Sequence, residues 1–203
     1  MIKAAQDDVD LSEVYEPAED TYLLLKAAIG EIQPDDSVLE IGCGRCVISE
    51  EISPRVKSLI STDINPHAVR LAGIKGLKTI RADIFKGIKA KFDLILFNPP
   101  YLPTSDKERS SGWLNLALDG GPCGRDVING FLEELGDHLA PGGRALILVS
   151  SLTGLKDVEE KARLEEFDAR IIAQERYFFE SLYVLKLTFA NVRYQQAGNA
   201  LAN

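Results

Sequence analysis

The stretch Ser37-Val38-Leu39-Glu40-Ile41-Gly42-Cys43-Gly44-Arg45-Cys46 decides the fold. Its first half is a short, largely apolar run closed by a glycine, which reads as a buried strand. Its second half is a tight turn in which Gly42 and Gly44 let the main chain approach a ligand closely, with Cys46 opening a helix. Outward from it, apolar runs and helical periods alternate. Residues 56–62 (VKSLIST) read as a second strand, ended by Asp63 and the turn pair Asn65-Pro66. A third, LKTIR, opens at Leu77 and closes at Arg81. A fourth, FDLILF at 92–97, is stopped by Asn98-Pro99-Pro100. The fifth and most apolar covers 145–149, after Pro141-Gly142-Gly143.

Between these runs lie helices. Glu16-Pro17 followed by Tyr22, Leu25, Ala28 and Ile29 predicts one before the first strand. Val127, Ile128, Phe131, Leu132, Leu135 and Leu139 recur at helical spacing, with Asp126 as N-cap and Pro141-Gly142 as the stop. Residues 170–178 and 181–189 are rich in Ile, Tyr, Phe, Val and Leu and read as a hairpin of two long strands. Alternating strand and helix implies a parallel sheet covered on both faces, to which the terminal pair adds an antiparallel member. In such sheets ligands bind beyond the carboxyl ends of the strands, where the strand order reverses.

Composition sets the outer bounds. The chain has 203 residues, of which 45% are hydrophobic and 27% charged, a globular balance. That length suits one domain spanning 1–203, with an N-terminal segment at 1–15 and a frayed tail at 195–203. The start carries acids rather than the apolar core of an export signal, and no apolar run approaches bilayer length. With three cysteines, this points to a cytoplasmic protein with no membrane partner. A net charge of -8, from 23 Lys and Arg against 31 Asp and Glu, counts against a protein that coats nucleic acid.

The chemistry-bearing residues stand just after the strands. The turn Gly42 to Cys46 lacks the third glycine of a dinucleotide fingerprint, because Val47 stands there, which disfavours NAD and FAD. Asp63, about twenty residues beyond the glycines, can accept both hydroxyls of a ribose, although alone it is equally a turn acid. Asp83 follows the third strand, where it could accept from an adenine amine or cap the short Ile84-Phe85 segment. The sharpest element is Asn98-Pro99-Pro100-Tyr101. Two prolines stiffen the loop and remove donors, so the Asn98 side-chain oxygen and the Pro99 carbonyl form a pair of acceptors for one planar –NH2 group. Tyr101 offers a face for stacking.

These residues resemble the class I S-adenosyl-L-methionine-dependent methyltransferases, and the NPPY tetrapeptide resembles that of the branch that methylates amino groups. With Tyr15-Glu16-Pro17-Ala18-Glu19-Asp20-Thr21 and Asp119-Gly120-Gly121-Pro122-Cys123-Gly124, the chain looks like the short HemK-type group. Those are the archaeal and eukaryotic glutamine methyltransferases of class I release factors, and the likeness runs from about Val14 to Leu139. The resemblance implies a Rossmann-like, mostly parallel seven-stranded sheet with a C-terminal antiparallel hairpin. It implies S-adenosyl-L-methionine as cofactor, held by Glu40, Gly42 and Gly44, with Thr21 at its amino-acid end, Asp63 on the ribose, and Asp83 and the Ile84 main chain on the adenine. Asn98, Pro99, Pro100 and Tyr101 would form the catalytic loop, with Asn98 also touching the cofactor. The implied partners are a class I release factor, methylated on its Gly-Gly-Gln glutamine, and a small zinc-binding activator pairing along the edge strand from Leu77 to Arg81. Lys78 and Arg81 equally suit charges guarding a free edge. Cys46 takes the place of a glycine and is expected to tighten the approach to the cofactor.

Other acceptors fit the same loop. An adenine amine in DNA or RNA is disfavoured by the acidic balance and by the loop at 102–111, whose only basic residues are Lys107 and Arg109. A protein lysine is a further candidate. Cys43-x-x-Cys46 has the form of a redox pair, and with Cys123 and a His it could hold zinc; the glycine turn explains Cys43 better, so no metal is expected. His67 and His138 are expected on helix surfaces, outside the chemistry. No G-x-S-x-G or P-loop occurs.

Overall fold

A computed structural model describes residues 9–105 and 111–190. The expected frayed tail, the first part of the N-terminal segment, and Lys107 and Arg109 lie outside them. The strands are β1 (Ser37–Ile41), β2 (Ser58–Asp63), β3 (Thr79–Arg81), β4 (Phe92–Phe97), β5 (Leu139–Ser150), β6 (Phe167–Arg176) and β7 (Ser181–Phe189). The helices are α1 (Glu19–Glu31), α2 (Val47–Ile52), α3 (Pro66–Ile74), α4 (Trp113–Leu116), α5 (Asp126–His138) and α6 (Leu155–Leu164). The seven strands form one sheet in the order β3-β2-β1-β4-β5-β7-β6. The first five run parallel, and β7 pairs antiparallel with both β5 and β6.

Alternation along the central strands divides the core in two. Leu39, Ile41, Ile95, Phe97, Ala145 and Ile147 pack on one face with Ile128, Phe131, Leu132 and Leu135 of α5. Val38, Leu94, Leu96, Leu146 and Leu148 pack on the other with Leu23, Leu24 and Ala28 of α1 and Ile48 and Ile52 of α2. Because both faces are covered, these strands read as continuous apolar runs. Arg144 locks β5 to the approach to β1: its guanidinium donates to both Asp36 oxygens, at 3.1 and 2.6 Å, and is buried. Such a two-pronged pair satisfies both charges in one geometry.

Several boundaries differ from the sequence expectation. The first helix begins at Glu19, because Ala18 is extended ahead of it. Asp126 is the first residue of α5, and Arg125 occupies the cap position. That helix ends at His138, and the chain enters β5 directly at Leu139, before Pro141-Gly142. A register shift between Phe92 and Leu94 absorbs the extra residues. β3 is shorter than expected, since only Thr79 to Arg81 pair with β2. His138, expected on a surface, is buried and stacked on Phe85 with centroids 4.2 Å apart. His67 is half-buried, and its Nδ1 accepts the Asp10 N–H at 3.1 Å.

β1 lies between β2 and β4, so crossovers leave it in both directions and a crevice opens where its carboxyl end meets that of β4. Gly42 follows β1 and Asn98 follows β4. The edge positions go to β3 and β6.

Candidate active site

A cavity of about 540 Å3 fills that crevice. Thr21, Glu40, Gly42, Gly44, Asp63, Asp83, Ile84, Asn98, Pro99, Pro100 and Tyr101 all line it, so every site residue expected from the sequence reaches one place.

The glycine loop is built on alternate left-handed residues: φ is +71° at Gly42, +48° at Gly44 and +67° at Cys46. The N–H groups of Gly42 and Cys43 both donate to the Thr62 carbonyl, at 2.8 and 2.9 Å, which folds the loop back over β2. Cys46 pays for a glycine conformation with a Cβ, and its cost is backbone strain. It does not tighten the ligand approach as expected: its side chain is buried 3.9 Å from the Cys43 sulfur and does not line the cavity. Cys123 is exposed, in another part of the chain.

Asp63 closes the loop from β2. One carboxylate oxygen accepts the Gly44 N–H and the other the Asn65 N–H, each at 2.9 Å. Burial raises its pKa, and these two donors oppose the rise. Glu40 is more deeply enclosed. Its partner is the Ser49 hydroxyl of α2, and burial, aided by the nearby Asp63 charge, pushes its pKa up to about 8. Asp83 lines the cavity while pairing with Lys86. Beside it Ile84 stands at φ +50°, a conformation that a β-branched residue adopts only when its surroundings force it, at about 1–3 kcal/mol. That strain fixes the direction of the Ile84 main chain at the cavity wall.

The NPPY loop carries the most telling feature. Asn98 Oδ1 is buried and has no hydrogen-bond partner among the described residues. An acceptor stripped of water and left unpaired costs about 1–3 kcal/mol. Tyr101 is held by its hydroxyl, which donates to Asp20 Oδ2 at 3.3 Å, and Tyr15 donates to the same oxygen at 2.8 Å. Burial, with the Asp20 charge close by, keeps both phenols well above their ordinary pKa. The other Asp20 oxygen takes the Thr21 N–H and hydroxyl. Asp20 therefore ties the start of α1 to the NPPY loop. In the sequence Asp20 stands within the Tyr15-to-Thr21 motif with nothing local to mark this role.

The stretch from Asp119 to Gly124 explains itself against this loop. Leu102 donates to Leu118 O at 3.1 Å and accepts from Gly120 at 3.0 Å, and Thr104 donates to Gly121 O at 2.9 Å. A Cβ on Gly124 would stand 2.4 Å from the Tyr101 carbonyl, and one on Gly121 would stand 2.0 Å from Asp126 Oδ2. At Gly124 glycine is required because backbone meets backbone, and at Gly121 because φ is +81° and the Asp126 side chain fills the space.

The structure adds walls that sequence reasoning missed. Trp113 and Leu116 come from α4, and Tyr177, Glu180 and Leu182 from the β6–β7 hairpin. Glu13 accepts the Trp113 N–H at 2.6 Å, pinning α4 from across the chain. No sequence signal locates the hairpin residues, because only the tertiary pairing of β7 with β5 carries them to the crevice.

A sheet of this order with a glycine turn after β1, a carboxylate after β2 and NPPY after β4 defines a class I methyltransferase. Residues 19–114 match the model of the methyltransferase small domain family. The chain is 43% identical over 180 residues to a Methanocaldococcus jannaschii chain assigned as a protein N5-glutamine methyltransferase, covering 85% of this chain and 90% of that one. It is 31% identical over 197 residues to the human methyltransferase HEMK2, covering 87% and 90%. Among solved structures, Mtq2 in the E. cuniculi Mtq2-Trm112 complex, responsible for methylation of the translation termination factor eRF1, superposes with a TM-score of 0.74 at 29% identity. That match covers 88% of this chain and 99% of the other. The chain belongs to the HemK2/Mtq2-type family of protein N5-glutamine methyltransferases.

Proposed function

We propose that this chain methylates the side-chain amide nitrogen of the Gly-Gly-Gln glutamine of a class I peptide chain release factor, with S-adenosyl-L-methionine as methyl donor. The observation that carries this reading is the buried, unpartnered Asn98 Oδ1 at the cavity wall. It is an acceptor waiting for an N–H donor, and a primary amide brings two.

The residues present fit the cofactor. S-adenosyl-L-methionine supplies a methyl group on a positively charged sulfur. Asp63, fixed by two main-chain donors, would take ribose hydroxyls, and the left-handed glycines of the Gly42 to Gly44 turn would allow close approach. Thr21 and Glu40 serve the amino-acid end, and Asp83 with the strained Ile84 main chain serves the adenine. Asp63 and Asp83 at the cavity wall suit a cationic ligand.

An amide nitrogen is a poor nucleophile because its lone pair is delocalised into the carbonyl. Asn98 Oδ1 and the Pro99 carbonyl accept its two N–H bonds, which orients the nitrogen and stabilises positive charge as it develops there. Pro100 stiffens the loop, and Tyr101 offers its ring to the amide plane. The proton leaves after transfer, so no strong base is needed, and neither His67 nor His138 is required.

The reading also takes a small zinc-binding activator as partner. It is supported by the position of β3 at the sheet edge and by the complex in which the E. cuniculi relative was solved.

The test is Asn98→Ala. Loss of such a contact is worth about 2–4 kcal/mol in the chemical step. Turnover on a release factor is expected to fall at least about a hundredfold, with cofactor affinity within a few-fold of wild type. Near-normal turnover would remove Asn98 from the mechanism. Label from the methyl donor appearing on an adenine oligonucleotide, and not on the release factor, would overturn the substrate.

A further inference from the structure

The tip of the β6–β7 hairpin carries the two most exposed large apolar side chains described. Phe178 is 93% and Phe179 86% exposed, and the rings stack edge to face with centroids 4.7 Å apart. The turn beneath them is closed. Tyr177 N–H donates to Glu180 O at 2.8 Å, and the Tyr177 hydroxyl donates to Glu175 at 2.6 Å. Ser150 holds the Glu180 carboxylate, and Ser181 N–H donates to Ser151 Oγ at 3.0 Å. The phenylalanines are thus presented on a fastened support, where leaving both in water is unfavourable.

Their position gives the exposure a purpose. Tyr177 and Glu180, immediately flanking the pair, line the same cavity as Asn98 and Tyr101. The turn follows Arg176 and precedes Ser181, whose neighbour Leu182 pairs with Ser150 at the carboxyl end of β5, so the tip stands on the ligand side of the sheet. We propose that Phe178 and Phe179 are a docking point for the folded protein substrate, gripping an apolar patch on its surface beside the acceptor residue. This rests on the reading that the acceptor is a protein side chain. The tip is continuous with the cavity the acceptor must enter, and its fastened turn lowers the ordering cost of binding.

Other occupants fit less well. Five strand steps separate β3 from β7, about 24 Å, so a partner on the β3 edge lies at the far end of the sheet. Two aromatic side chains bury roughly 150–250 Å2 each, far below the roughly 1,000 Å2 of a stable dimer, yet ample as an addition to a substrate already held at the cavity. The net charge of -8 opposes an anionic lipid surface.

The experiment compares wild type with Phe178→Ser/Phe179→Ser, which removes no packing from the core. Methyl transfer is measured on the intact release factor and on a short synthetic peptide centred on its acceptor glutamine, and cofactor affinity is measured by calorimetry. For the intact factor, KM is expected to rise at least about tenfold with kcat within about twofold. Peptide kinetics and cofactor affinity stay unchanged, and Phe178→Leu/Phe179→Leu recovers most of the loss. An unchanged KM for the intact factor, or an equal loss on the peptide, overturns the docking role. So does a wild-type dimer that the double variant dissolves, which gives the patch to a second copy. With the activator present, a wild type that leaves the release factor unlabelled overturns the functional reading and this inference with it. A wild type that labels it, matched by the double variant, overturns this inference alone.

Discussion

Glu40 shows how much one buried carboxyl can shape a protein's pH response. It is buried at the cavity wall, its pKa raised to about 8 by burial with Asp63 adding repulsion, whereas in the unfolded chain it ionises near 4.5. Between those values the folded state holds a proton that the unfolded state releases, so stability declines as pH rises through the window. Below about pH 4.5 both states are protonated and the penalty vanishes; above about 8 it is complete. Glu40→Gln removes the titration. Its melting temperature is therefore expected to fall less than wild type's between pH 5 and pH 8, by about 5 °C or more, since a few kcal/mol are involved. Parallel melting curves for the two proteins across that range would show that Glu40 is ionised in the fold. Asp63, Asp83 and Asn98 were legible in the sequence because each stands at or just after the end of a strand, whereas Glu40, inside β1, entered only through the family resemblance. Asp20 was not legible, because its meaning comes from Tyr101, 81 residues away. Nor does a sequence reveal that Cys46 and Ile84 stand at positive φ, which is a property of the path the main chain is forced to take.

Among the elements, the loop after β4 depends on a second loop for its shape. Gly124 packs against the Tyr101 carbonyl so closely that a methyl group would overlap it, and Gly124 itself lies at φ +68°. Gly124→Ala must push the Tyr101 segment toward the cavity or abandon its own conformation. A displacement of about 1 Å at a reacting group is worth about a hundredfold. We expect kcat to drop at least about tenfold while cofactor affinity changes little, because Gly44 and Asp63 lie across the crevice. Kinetics alongside calorimetry measure both, and normal kcat in a folded variant would show that the NPPY loop does not rely on this contact. At this scale the sequence yielded strand existence well and strand limits poorly. Apolar runs mark β1 and β4, but β5 begins at Leu139 because a bulge opposite Phe92 lets Pro141-Gly142-Gly143 stay in the strand. The 119–124 motif carried no physical reading until its backbone contacts were visible.

For the whole molecule, the two sheet edges differ. β6 is ten residues long, whereas β3 has three and shows Ile80 at 47% exposure, with Ile64 close by at 37%. Arg81, exposed on that edge, is also engaged: its Nε donates to Ile64 O at 3.1 Å and its guanidinium lies over Trp113, 5.6 Å from the ring centroid. Lys78 lies ahead of the strand, with its carbonyl taking the Ser61 N–H. With Ile80 exposed on its free side, β3 can receive another strand by main-chain pairing. Arg81 also joins that edge to the cavity, since Trp113 lines it, so a strand added at β3 would steady a cavity wall through one side chain. We therefore expect an activator bound at β3 to raise methyl transfer as well as to keep the chain monodisperse. Ile80→Glu should weaken that complex about tenfold or more by placing a charge where an apolar contact forms, while the melting temperature of the lone chain stays within about 2 °C. Titration of the activator by calorimetry, with transfer rates followed in parallel, reads both quantities. Unaltered affinity in the variant would move the activator to another surface, and full activity in a monodisperse lone chain would make it dispensable.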